Sequence, residues 1–97
     1  MLVNRRTNQV KRGPMEEAVS LVKEALQWAP AGMGPMRVYT SSIGPESRIA
    51  LEVELQSLAD YERFWNGWTA QVPPEWWERW DKVIESGGSN EIWTLVE

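Results

Sequence analysis

The chain has 97 residues, of which 42% are hydrophobic, carries a net charge of -4, and contains neither cysteine nor histidine. That length holds one domain, residues 1–97, around a single core, and the missing thiols exclude disulfides and thiolate metal sites. The missing imidazoles remove the usual general base near neutral pH, the usual haem ligand and the commonest zinc ligand, and the acidic balance argues against nucleic acid as a partner.

Residues 2–11 read as a first strand ending at Gly13-Pro14, a helix-start signal because proline lacks an N–H that the first turn could not satisfy. A helix from Pro14 to about Trp28 follows, with Met15, Ala18, Val19, Val22, Ala25 and Leu26 as its apolar stripe. Ala29 to Pro35 is rich in turn formers and reads as a loop; its Gly32-Met33-Gly34 is too short for a phosphate loop. Arg37–Ile43 is a second strand, and Gly44-Pro45-Glu46-Ser47 supplies turn chemistry for a hairpin into the third. That third strand, Arg48 to Gln56, alternates strictly: Ile49, Leu51, Val53 and Leu55 point one way, Ala50, Glu52, Glu54 and Gln56 the other.

Ser57 opens the next helix, with Asp60 placed for a reciprocal cap and Leu58, Tyr61, Trp65 and Trp68 as the stripe, Phe64 beside them. Val72-Pro73-Pro74 interrupts it and starts a third helix, in which Trp76, Trp77, Trp80, Val83 and Ile84 keep helical spacing and Glu75/Arg79 and Glu78/Lys82 form four-residue charge pairs. Gly87-Gly88 stops that helix, and Ile92–Val96 is a fourth strand. No apolar stretch approaches the roughly 20 residues of a membrane span and the N-terminus lacks a signal-peptide core, so the expectation is a soluble, cytoplasmic protein.

The order is βαββαβ with the second crossover split in two. Right-handed crossovers fold such a string into an α+β domain: a four-stranded antiparallel sheet, order 4-1-3-2, with helices on one face. The other face is left open, to stay wet or to pair with a second copy.

Val10-Lys-Arg-Gly13, Glu52-Val-Glu-Leu-Gln-Ser57, Ser57-Leu-Ala-Asp-Tyr-Glu-Arg-Phe-Trp65 and Glu91-Ile-Trp93 together resemble the small NIPSNAP-type and antibiotic-biosynthesis-monooxygenase-type domains of the dimeric α/β-barrel, ferredoxin-like group. The resemblance covers nearly the whole chain and implies a ferredoxin-like domain that pairs sheet to sheet as a homodimer. It does not fix an activity, because the group spans cofactor-free oxygenases, haem-degrading enzymes, lactone isomerases and domains of unassigned role. The haem-binding and histidine-dependent branches need an imidazole, which this chain lacks.

Two constellations offer chemistry. Trp65, Trp68, Trp76, Trp77 and Trp80 crowd the second crossover; they either build the core beneath the sheet or wall a pocket for a flat apolar ligand, with Tyr61, Arg63 or Asn66 as its polar groups. Glu52 and Glu54 project side by side from a central strand, opposite Arg5 or Arg6 according to register, with Tyr39 or Ser41 nearby. They form either cross-strand ion pairs or a cavity in which one carboxylate acts as a base of raised pKa. The facing of strand one is open at this stage, since Leu2 and Val10 share a side with Arg6 while Val3 shares one with Arg5.

The reading that follows is a small-molecule-binding or interaction domain with no metal and no tightly bound cofactor. Its site candidates are Arg5, Arg6, Tyr39, Tyr61, Trp65 and Asn66, and its partners are a second copy of itself and a small apolar or aromatic ligand. The alternative is a cofactor-independent monooxygenase or isomerase acting on an aromatic or polyketide-like substrate, with Glu52 or Glu54 abstracting a proton and an arginine steadying the enolate.

Overall fold

In the computed structural model, which describes every residue except Pro45, β1 (Leu2–Gln9) and β3 (Arg48–Leu55) lie at the centre of one antiparallel sheet. They are flanked by β2 (Met36–Thr40) beside β3 and β4 (Ser89–Thr94) beside β1, which is the expected order 4-1-3-2. The predicted turn at Gly44-Pro45-Glu46-Ser47 includes Pro45, which lies outside the described residues.

Three helices cover one face: α1 (Met15–Ala25), continued by a 3-10 turn over Leu26–Trp28, α2 (Leu58–Gln71) and α3 (Pro74–Val83). Ala18, Leu21, Val22 and Ala25 form the buried stripe of α1 and pack with Val10, Ile49, Trp76, Trp80 and Val83. Leu21, missing from the predicted stripe, is fully buried because it lies three residues after Ala18 and four before Ala25. A second cluster of Val53, Leu55 and Phe64 fills the space under the start of α2.

The elements end where local chemistry stops them. Ser57 caps α2 by accepting from the Asp60 N–H at 3.2 Å, while the Asp60 carboxylate accepts from the N–H of Gln56 at 3.2 Å, one residue earlier than a standard reciprocal cap. Leu58 is exposed and Phe64 carries the buried contact of α2, so the stripe is rotated from the predicted one. Arg79 does not pair within α3; it reaches Glu24 of α1 at 2.9 Å and ties the two helices across the layer. The second strand stops at Thr40, leaving Ile43 fully exposed, and the fourth begins at Ser89, earlier than expected. Beyond β1, Val10 bridges to Ile84, with the Lys11 N–H donating to the Val83 carbonyl at 2.8 Å and fastening the end of α3 to the sheet.

Register fixes the facing of β1. Leu2, Asn4, Arg6 and Asn8 stand opposite Leu55, Val53, Leu51 and Ile49, and so share the helix-covered face. Val3, Arg5 and Thr7 stand opposite Glu54, Glu52 and Ala50 on the open face.

Candidate functional site

The register gives a central strand three polar side chains beneath the helices, an arrangement that needs either partners or a lined space. Asn4, only 1% exposed, donates through Nδ2 to Asn90 Oδ1 at 2.7 Å and to the Glu91 carbonyl at 2.9 Å, which anchors β4. Arg6, two residues along the same face, lays its guanidinium 3.6 Å from the centroid of the Trp65 ring. Its Nη2 donates to the Tyr61 hydroxyl at 3.3 Å, and that hydroxyl also accepts from Asn90 Nδ2 at 3.0 Å. Burial pushes the Arg6 pKa below the ordinary arginine value, with Tyr61 acting in the opposite direction.

Next to Arg6 a cavity of about 270 Å³ opens between sheet and helices. Its floor is Arg6, Asn8, Ile49 and Leu51 of the central strands, and its walls are Val22 and Ala25 of α1 with the indoles of α2 and α3. The tryptophans are ordered by one another: Trp76 stacks on Trp80 at 5.3 Å and meets Trp77 edge to face at 5.1 Å, while Trp68 stacks on Trp65 at 5.4 Å. Two of them are also tied to α1, Trp76 Nε1 donating to the Leu21 carbonyl at 2.9 Å and Trp68 Nε1 to that of Ala25 at 3.0 Å. All five indoles line the cavity; Trp76 and Trp80 are also buried in the core, whereas Trp65, Trp68 and Trp77 are half-buried.

The other candidates lie apart from this space. Glu52 and Glu54 are on the open face, paired with Arg5 at 2.6 Å and with Arg37 at 2.7 Å. The hydrogen bond that Arg5 donates to Glu52 raises the pKa of Arg5, whose guanidinium also lies 5.9 Å from the centroid of the Tyr39 ring. Asn66 is exposed on α2, and Arg63 donates to the Ala31 carbonyl at 3.1 Å. Of the sequence candidates, Arg6 and Trp65 line the cavity and Tyr61 bonds to Arg6 from outside its lining; Arg5, Tyr39, Glu52 and Glu54 come together on the opposite side of the sheet. The sequence places Asn8 beside Glu52 and Glu54 and Ala25 on a helix stripe and does not single out Asp81; all three line the cavity. Period two groups Asn8 with Arg6, Leu2 and Val10, but cross-strand register was needed to turn that set toward the helices. Among the described residues no group of three or more acidic side chains gathers as a metal site would require, and no helix is long and apolar enough to cross a membrane.

No protein-family model matches the chain, and no curated protein matches it. Solved structures do. A NIPSNAP-like domain protein from Burkholderia xenovorans superposes with a TM-score of 0.76 at 18% identity, covering 98% of this chain and 84% of that one. A NIPSNAP family protein with unknown function from Agrobacterium tumefaciens gives 0.71 at 23% identity, with 96% and 86% covered. A putative antibiotic biosynthesis monooxygenase from Bordetella bronchiseptica gives 0.75 at 16% identity, with 99% and 97% covered. The chain thus has the ferredoxin-like fold of the NIPSNAP and antibiotic-biosynthesis-monooxygenase structures.

Proposed function

We propose that the chain is a small-molecule-binding domain whose ligand is a flat, largely apolar molecule held among the indoles of α2 and α3 and over the floor of β1 and β3. The observation that carries this reading is the cavity itself: about 270 Å³, walled by tryptophan and aliphatic side chains, with polar groups confined to Arg6, Asn8 and Asp81. Ligand sites are typically concave and apolar with a few placed polar groups, and this volume lies near the lower end of their roughly 300–1,000 Å³ range, which suits two fused rings rather than a large polycycle. Binding of a fused-ring aromatic would be read as quenching of tryptophan fluorescence. Ala25→Leu adds bulk to the cavity wall and should weaken binding while α1 stays helical. Unchanged affinity in that variant would refute the assignment of the cavity.

The open face belongs to the same proposal, with a second copy of the chain as its occupant. Tyr39 and Trp93 are both exposed on this face, 43% and 58%, beside the Arg5–Glu52 and Arg37–Glu54 pairs. Large exposed rings among matched opposite charges suit a two-fold contact, in which each pair meets its own copy. Light scattering at micromolar concentration should return twice the 11.2 kDa chain mass. A monomer that persists on concentration would refute the pairing.

A further inference from the structure

Four arginines in the structure reach a carboxylate: Arg5, Arg37, Arg63 and Arg79, at 2.6, 2.7, 3.8 and 2.9 Å. Arg6 is half-buried and reaches none among the described residues. Among the described residues its Nε is buried without a hydrogen-bond partner, its only side-chain hydrogen bond is the 3.3 Å contact to Tyr61, and the one carboxylate lining the cavity, Asp81, is on an exposed position of α3. Tyr61 lies outside the cavity lining; its oxygen accepts from both Arg6 and Asn90 and so fixes the position of the guanidinium.

A half-buried cation with an idle N–H is costly unless something compensates it; the Tyr61 oxygen accepts from Nη2, and the nearby Asn4 Oδ1, also without a partner, does not take up Nε. Resting on the cavity reading above, we infer that the ligand is an aromatic carboxylate, its rings among the indoles and its carboxylate accepting from Arg6 Nε, with Tyr61 positioning the guanidinium from outside the cavity lining. The planar guanidinium suits this group because its edge presents parallel N–H bonds to two carboxylate oxygens. Trp65 lies against the guanidinium and holds it in place, while Nη2 donates to Tyr61 and Nε is left without a partner. Burial lowers the pKa of Arg6, and the group that acts against this is the Tyr61 phenol rather than a carboxylate.

The test is titration of the full chain with three probes of one shape, 2-naphthoate, 2-naphthamide and naphthalene, read by tryptophan quenching and calorimetry. The inference expects 2-naphthoate to bind at least about tenfold more tightly than 2-naphthamide, as a charge-assisted pair in a desolvated site should. It expects that preference to collapse in Arg6→Gln and to shrink in Tyr61→Phe, with binding of naphthalene itself retained. Equal affinity for the acid and the amide in the wild-type chain would overturn the inference and leave the cavity reading intact. A preference that survives in Arg6→Gln would overturn the role of Arg6. Failure of all three probes to bind would overturn the cavity reading and the inference with it. The wild-type comparison stands even if a variant does not fold.

Discussion

Replacing Trp76 with alanine tests whether this cluster is layered into structural and ligand-facing rings. Trp76 is 3% exposed, touches Trp68, Trp77 and Trp80 ring to ring at 5.6, 5.1 and 5.3 Å, and donates a buried hydrogen bond to Leu21. Buried Trp→Ala changes cost about 3–5 kcal/mol, and loss of the indole hydrogen bond brings this site to the upper part of that range. The existing cavity lies next to the deleted ring, so the space left behind joins it and the walls have little to collapse onto. A domain of this size is stable by roughly 5–15 kcal/mol, and each kcal/mol moves its melting point by about 4–8 °C. Trp76→Ala should therefore melt about 20 °C or more below the wild-type chain, or fail to fold. Trp77→Ala removes a half-buried ring on the cavity wall and should cost clearly less. Urea unfolding followed by far-ultraviolet circular dichroism, which does not depend on the tryptophans being replaced, gives both midpoints. Equal midpoints for the two variants would refute the layering.

Two further substitutions address the sheet. Glu52→Gln removes the partner of Arg5; because that arginine is about half exposed, at 48%, the cost to the isolated fold should be about 1 kcal/mol or less, by thermal melting. If a second copy covers the face, the same change strands a buried arginine and should weaken the dimer by at least about tenfold in a dilution series, with Glu54→Gln acting in the same direction through Arg37. A destabilised fold with an unaltered dimer would contradict this account of the face. Gly34→Ala should lower stability by about 1–3 kcal/mol in urea, because a Cβ there would run into the Glu54 backbone carbonyl just ahead of β2. Wild-type stability in that variant would show that the loop approaches β3 less closely.

The sequence by itself determined the fold, and the reasons are local. Ile49, Leu51, Val53 and Leu55 alternate too regularly to be anything but a half-buried strand. Gly13-Pro14, Ser57 with Asp60, and Pro73-Pro74 mark the helix starts, and short connections with right-handed crossovers leave essentially one sheet order for a βαββαβ string. The tryptophan crowding of the second crossover was equally legible, because it needs only helical spacing to be seen.

Only the tertiary structure decided which face of the sheet holds the cavity and what lines it. Period two sorts β1 into two sets, but both sets are polar, so neither Arg5 nor Arg6 could be assigned until cross-strand register set Arg6 opposite Leu51 and Arg5 opposite Glu52. That one choice of parity separates a solvent-side ion pair from a desolvated cation under the helices. It also parts the acidic pair Glu52 and Glu54 from the tryptophan cavity. The partners of Arg79 and Leu21 were hidden for a related reason: each depends on how α1 lies against α3, and helix-to-helix distances are set by packing volumes rather than by the spacing within either helix.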